Sequence, residues 1–520
     1  MGSWRGACHS CRGSHQRRVP EVVKSKDRLV VWCACVIAAV RVFVYSAAFP
    51  FFNNVDEPWH FDLVVKYSHG QVPSRLEPFS TESSRYITLF ASPEYLVRPE
   101  QFEGGKIPPP LSTLPQAESG SFYTRISAIW LKAINHEASS PPLYYVAAGS
   151  WLRLGRLLGI DELGALYWIR FLNVFVMVAL VRLGFGVGRM VFPESRFLRI
   201  GVAWLLAFFP QDAFYSIQSD VLSPLCFGLA FACVAKFWLA DRAPRLRWYV
   251  AAGLALAVTA LVKVSNLPLV GVAFVAVLYR ARYWAEAGQL RDALPGLGLM
   301  ALCAAVPVGS WMIWSHYAFG DLTGSSVKVA SLGWTRKPIT DWVRHPLFTP
   351  AGMWQFTSEF MASFWRGEFV WGFRRLASPA MDALYTLSST IFVAVSACTM
   401  VRASSDTTVE QRRVLRLALA SFAMAVMFPA LLSTVFDFGN CVYPSREHPY
   451  FTSGRLASGA LIPFLVLYVY GLDQSIGGRR NHSAHWWVLG GFVALSTFSE
   501  IIVSFPVFFS QYNWFHMYGH

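Results

Sequence analysis

Apolar runs of about eighteen residues or more recur along the whole chain, and no other feature limits its folding so severely. A bilayer core about 30 Å thick is crossed by about twenty helical residues. Within it every backbone N–H and C=O must be satisfied internally, which leaves the helix as the spanning unit for runs of this kind. The runs fall near 29–50, 164–187, 199–217, 221–240, 248–265, 267–281, 297–319, 380–401, 414–436, 454–472 and 486–508. Residues are 54% hydrophobic and only 15% charged, more apolar than a soluble core of this size requires. The expectation is an all-α integral membrane bundle of about 11 transmembrane helices. The first run is too long for a signal peptide and lacks a small-residue cleavage site, so it is expected to remain as an anchor.

Basic residues orient the bundle. Arg5, Arg12, Arg17, Arg18, Lys24, Lys26 and Arg28 precede the first run and place the tail, 1–28, in the cytoplasm. The run 142–158 is interrupted by Arg153 and Arg156. If it crossed the membrane, the arginine clusters at 182–199, 242–247 and 402–416 would all face outward. Read as an interfacial or re-entrant helix, it leaves them inside with Arg280, Arg282, Arg479 and Arg480; twelve spans are the alternative. The organisation that follows is a first span, 29–52, a large outer loop, 53–163, and further spans over 164–319. An aromatic outer loop, 320–379, and the last spans, within 380–520 and carrying a short outer loop at 437–453, complete it. The localisation expected is a plasma (inner) membrane, with the polar loops extracytoplasmic.

The formal net charge of +14 resides in these short loops. No basic stretch interleaved with aromatics resembles a nucleic-acid groove, so nucleic acid is excluded as a partner. Membrane lipids are the expected surroundings. Nine cysteines are scattered, and the Cys8–Cys11 pair lacks a second pair at zinc-ligand spacing.

One polar stretch stands out against this background: Asn53-Asn54-Val55-Asp56-Glu57-Pro58-Trp59-His60-Phe61-Asp62, directly after the first apolar run. Pro58 suits a first helical position and Gly70 a helix end, so 58–69 reads as a short amphipathic helix along the surface. Asp56 and Glu57 then sit at its N-terminus, as caps or as reactive carboxylates. Other ionisable residues gather at the outer ends of the runs: Asp220, Lys263, His316, Asp437, Arg446 and Arg455. Asp220 can be a cap, Lys263 can snorkel to headgroups, and Arg446 can be a solvated loop residue. Together they form a set at one face, where ionisable groups near membrane depth usually serve a cavity or a partner.

Carboxylates beside lysine and arginine at a membrane boundary suit a lipid-phosphate substrate such as a polyprenyl-phosphate sugar. The leaving phosphate needs cationic stabilisation, from Lys263 and Arg455. An acceptor hydroxyl needs a general base, from Asp56 or Glu57. Direct displacement inverts the anomeric centre. Asp56, Glu57 and His60 are also the residues that could ligate a divalent metal ion, though none is assigned.

At these residues the sequence resembles the GT-C superfamily of membrane glycosyltransferases, most closely a bacterial multi-pass branch. The matching segments are Asp56-Glu57-Pro58-Trp59-His60-Phe61, Ser140-Pro141-Pro142-Leu143-Tyr144-Tyr145, Arg170 with Asn173, Phe209-Pro210 leading to Ser219-Asp220, Lys263, Ser363-Phe364-Trp365, and Gly454-Arg455-Leu456 to Pro463. The resemblance implies a lipid-linked sugar donor, Asp56 as base with Glu57 beside it, and Lys263 and Arg455 at the donor phosphate. It also implies that the segment holding Tyr144 lies beside the site. His60, Asp220 and Arg446 complete the substrate-binding set. Leu456 stands where an aromatic residue often follows the arginine. The acceptor is a glycan, glycolipid or protein. The rival reading is a transporter or flippase for a lipid-linked or anionic solute, with Arg41 and Arg170 as intramembrane charges. Against it, the chain has no evident internal repeat and its polar residues gather at one edge.

Overall fold

The computed structural model describes residues 21–240, 242–402, 407–477 and 482–518. Cys8, Cys11, most of the basic tail, Arg479 and Arg480 lie outside them. The chain is built almost entirely from helices: α1 Glu21–Ala48, α2 Glu57–Ser68, α3 Thr81–Phe90, α4 Gln116–Lys132, α5 Leu143–Leu157 and α6 Glu162–Val191. There follow α7 Arg196–Ala207, α8 Ser223–Leu239, α9 Leu246–Val262, α10 Leu267–Glu286, α11 Leu290–Phe319, α12 Ser325–Ser331 and α13 Ile339–Trp342. The last are α14 Pro350–Arg366, α15 Pro379–Val401, α16 Val409–Val435, α17 Leu461–Ser475, α18 His482–Ser504 and α19 Trp514–Met517. Two short antiparallel ladders pair Thr335–Arg336 with Phe436–Asp437 and Val370–Trp371 with Arg374–Arg375.

Among the described residues nine helical segments are long and apolar enough to cross a membrane. They coincide with nine of the eleven expected runs, and the protein is a multi-pass membrane protein. The other two runs form shorter helices. The run 199–217 yields only α7, because Phe209-Pro210 follows and proline cannot continue the backbone ladder. Beyond it the chain turns through Asp212–Tyr215, where Asn173 of α6 donates to the carbonyls of Phe214, at 3.1 Å, and Ser216, at 2.9 Å. The run 248–265 yields the seventeen-residue α9, which stops at Lys263. The run 142–158 is α5, fifteen residues long and not among the nine.

Polar caps set several helix starts. Asp161 accepts from the Gly164 amide at α6, Ser195 accepts from Leu198 at α7, and Thr408 and Gln411 form a reciprocal box at α16. α17 is buried continuously from Leu461 to Leu472 and forms the centre of the bundle. α11 lies at its periphery and exposes Leu302, Val306 and Ile313, apolar side chains suited to lipid.

α2 differs from its expected place. Ten of its twelve residues are buried, including Glu57, His60, Asp62 and Lys66, so it is an internal helix packed against α5. Its polar side chains are spent on neighbours. Lys66 pairs with Asp62 at 2.9 Å, and Asp62 also accepts from the Ser80 amide and from Asn135.

Candidate active site

Four chain segments end at one place. α1 leads into the Asp56 turn, Asp220 precedes α8, Lys263 follows α9, and Arg455 precedes α17. Arg455 is the hub. Its Nη2 donates to Asp56 Oδ2 at 2.6 Å. Its Nη1 donates to Gln218 Oε1 at 3.1 Å and Asp220 Oδ2 at 3.3 Å. Lys263 Nζ donates to both oxygens of Asp220, each at 2.6 Å. Glu368 completes the group, with Oε2 3.7 Å from Arg455 Nε. Three carboxylates thus surround two cations.

The Asp56 turn is built around Glu57. Both Glu57 oxygens are engaged by Arg170, at 2.9 and 2.8 Å, and by the backbone amides of Phe52, Asn53 and Ile217, with Asn53 Nδ2 adding a further bond. Arg170 also donates to the carbonyls of Ser46, Phe49 and Pro50, closing the open end of α1. Phe52 and Asp56 adopt positive φ, 63° and 60°, and this sharp turn directs Asp56 away from the helix it precedes. Asp56 makes no capping bond to α2; its carboxylate goes to Arg455. Aspartate tolerates the left-handed conformation better than most residues.

Arg455 is placed by close backbone packing. Gly454 lies so near α14 that a Cβ there would overlap the Phe364 backbone nitrogen. The Gly454 amide donates to Ser363 Oγ at 2.8 Å. Glu368 is held from both sides. Asp212 accepts from the amides of Glu368 and Phe369, at 2.6 and 2.7 Å, and Asn54 Nδ2 donates to the Glu368 carbonyl at 3.2 Å. Gly367 has φ +91°, and a Cβ there would overlap the Asp212 carboxylate. The aromatic loop is therefore laced to the Asp56 turn through Asn54.

Access is unequal. The Asp56 side chain is 33% exposed and that of Asp220 only 1%, with Arg455, Lys263 and Glu368 between them. Burial opposes ionisation of Asp56, but the Arg455 guanidinium outweighs it and holds the carboxyl at about 2. Burial pushes the Glu368 carboxyl up, with Arg455 opposing. A second layer lies behind. Burial lowers His60 to about 4 against the pull of Glu137, and its Nδ1 contacts Tyr145 Oη at 2.8 Å. Glu137 is ion-paired to Lys328 of α12.

Of the residues expected from sequence, Asp56, Asp220, Lys263 and Arg455 come together. Glu57 does not join them: its oxygens are saturated by Arg170 and backbone amides, so it organises the turn and has no free basic position. His60 and Tyr144 are buried beside the cluster and not open to its mouth; the Gln218 backbone amide bonds to Tyr144. Arg446 is exposed and paired with Asp437 at 2.9 Å, with no polar contact to the cluster among the described residues. Asp56, Glu57 and His60 do not converge as a ligand set. Among the described residues no group of three or more His, Cys, Asp or Glu is arranged to hold a metal ion. Glu368 was missed. Its signal is an acid, one of two with Glu359, within the aromatic segment 354–373.

The sequence matches the family described as "Predicted membrane protein (DUF2142)" over residues 40–440. The chain belongs to that family. No curated protein matches this DUF2142 chain. Among solved structures it is similar to the Archaeoglobus fulgidus oligosaccharyltransferase tethered with an acceptor peptide containing the NVT sequon. That match has 13% identity and a TM-score of 0.40, over 93% of this chain and 54% of that one. The same oligosaccharyltransferase in complex with zinc and sulfate gives 13% identity and 0.35, over 91% and 52%. ArnT from Cupriavidus metallidurans bound to undecaprenyl phosphate gives 13% identity and 0.31, over 87% and 78%. The chain spans about half the length of the oligosaccharyltransferase chains. Within the DUF2142 match lie Asp56, Asp220, Lys263 and Glu368; Arg455 stands beyond its end.

Proposed function

We propose that this protein is a GT-C-type glycosyltransferase that moves a sugar from a polyprenyl-phosphate carrier to an acceptor hydroxyl at the extracytoplasmic face. One observation carries the reading: a partly open carboxylate, Asp56, shares a single guanidinium with Asp220 and Glu368, and Lys263 stands on the far side of Asp220. A base and two cations at one end of a lipid-embedded bundle are what phosphate-leaving sugar transfer needs.

In the proposed reaction Asp56 accepts the acceptor's O–H proton as the oxygen attacks the anomeric carbon. The bond from that carbon to the phosphate oxygen breaks, and polyprenyl phosphate departs with the electron pair. Arg455 and Lys263 stabilise the developing charge, and the anomeric centre inverts. The acceptor is a glycan, glycolipid or protein bearing a free hydroxyl.

The test is purified protein in detergent, offered a panel of prenyl-phosphate sugars and acceptors. Transfer or slow hydrolysis in the absence of any membrane gradient supports the enzyme and excludes pure transport. Asp56→Asn is expected to lower transfer by about 10²–10⁴-fold with the fold intact. Wild-type transfer by a well-folded Asp56→Asn protein removes Asp56 as the base.

A further inference from the structure

At the opposite end of α17 from Arg455 lies a second polar site, which the proposed reaction does not use. α17 has fifteen residues and so separates the two by roughly 22 Å. A cavity of about 370 Å³ is lined there by residues including Tyr470 of α17, Thr407 ahead of α16, His485 and Trp486 of α18, and Arg196 of α7. Buried polar atoms seldom lack partners. Here three lack one among the described residues: Tyr470 Oη, Thr407 Oγ1 and His485 Nε2. The imidazole is oriented from its other side, where Nδ1 lies 3.0 Å from Asp473 Oδ1. Two hydroxyls donate to phosphate oxygens, and with Nδ1–H given to Asp473 the imidazole joins them at Nε2 only when both ring nitrogens carry protons. Arg196 adds a half-exposed guanidinium, whose Nε is given to Asp27 at 2.9 Å.

The cavity does not end at these residues. Arg196 and Trp486 also line a groove of about 770 Å³ that follows α7 and α18 through Ile200, Trp204, Val493 and Phe498. Its walls are mainly apolar. Gly490 opens its floor, with no atom within 4 Å of where a Cβ would stand. A soluble metabolite would leave this groove unfilled. A molecule with a phosphate at one end and a hydrocarbon chain at the other matches both parts.

We propose that the cavity and the groove are one binding site for a membrane phospholipid, with its phosphate at Tyr470, Thr407 and Arg196 and an acyl chain along α7 and α18. This lipid is distinct from any donor at Arg455 and lies toward the other leaflet. The site does not depend on the transfer reaction.

The experiment places the full chain in nanodiscs of phosphatidylethanolamine and phosphatidylglycerol, returns it to detergent, and counts retained lipid by native mass spectrometry. One tightly held phospholipid per chain is expected in the wild type and equally in Asp56→Asn. The double variant Tyr470→Phe, Thr407→Val removes two phosphate partners and should retain about tenfold less. Gly490→Leu fills the groove from an open position and should do the same without touching the polar cavity. Unchanged retention in Gly490→Leu overturns the proposal, even if the double variant fails to fold. So does equal stabilisation of wild type and Gly490→Leu by glycerol 3-phosphate, which would mark a site for free phosphate esters.

Discussion

Asp56 Oδ2 lies 2.6 Å from Nη2 of Arg455, although 399 positions separate the two residues in the chain. The guanidinium that receives the donor phosphate in the proposed reaction is already holding the proposed base. A carboxyl kept at about 2 is a weak proton acceptor. Asp220 is locked by Lys263 and buried, so in the proposed reaction Asp56 is the arm that an entering phosphate would displace. Donor binding would then release and strengthen the base in one event. Initial-rate kinetics should therefore show ordered addition, donor before acceptor. Arg455→Lys keeps one charge but loses the fork that spans Asp56 and Asp220. Its transfer rate should fall about 10²–10³-fold. Random-order kinetics, with wild-type rates for Arg455→Lys, would contradict this coupling.

The same groups predict how stability responds to acid. His60 has a folded value near 4 against an ordinary 6.5, because burial disfavours the charged ring. The unfolded chain therefore takes up a proton that the folded chain refuses. Stability from this residue is complete above about pH 6.5 and erodes as pH falls toward 4, by an amount on the order of 3 kcal/mol. Asp56, lowered from 3.8 to about 2, adds stability that is lost only below about pH 4. Thermal inactivation in detergent at pH 7, 5.5 and 4.5 should show the first window alone. His60→Asn, which cannot titrate, should make this loss smaller without abolishing it, because burial also lowers His345 to about 4 and lowers His136.

How far the sequence discloses this site depends on what each residue touches. Asp56, Asp220, Lys263 and Arg455 all stand where an apolar run begins or ends, so hydropathy alone brings them to one level. The engagement of Glu57 is not legible locally, because its partner, Arg170, is 113 positions away and inside another run. Nothing local distinguishes a carboxylate that folds the turn from its neighbour that faces the opening. Likewise α2 looks amphipathic in isolation, and its burial follows from α5 covering it. The shortening of the run at 199–217 was legible in Pro210. The use of Asp212 to fix the Glu368 backbone was not, since it depends on a contact across 156 positions.

Glu57 and Asp56 should separate cleanly by mutation. Glu57→Gln leaves Arg170 buried with an uncompensated charge, which typically costs about 3–5 kcal/mol. Poor folding yield and a lowered unfolding temperature are expected, even before activity is assayed. Asp56→Asn sits at a partly open position, leaves Arg455 paired with Asp220, and should lose less stability than Glu57→Gln while losing transfer. If the two variants exchanged these behaviours, the roles assigned to the adjacent carboxylates would be reversed.

Gly454 offers a test of positioning without altering any charge. A Cβ at this residue meets the backbone of Ser363 and Phe364, which cannot yield as a flexible side chain would. Gly454→Ala must therefore push the Arg455 segment off α14. A displacement of about 1 Å at a reacting centre can cost about 10²-fold in rate. The expected result is a folded protein with kcat reduced on that scale. Gly491→Ala is the matched control, because it adds a methyl to a helix position with nothing within 4 Å. It should leave transfer unchanged and raise stability by roughly 0.5–1 kcal/mol. Equal rates for the two variants would mean that Arg455 does not need its backbone fixed against α14.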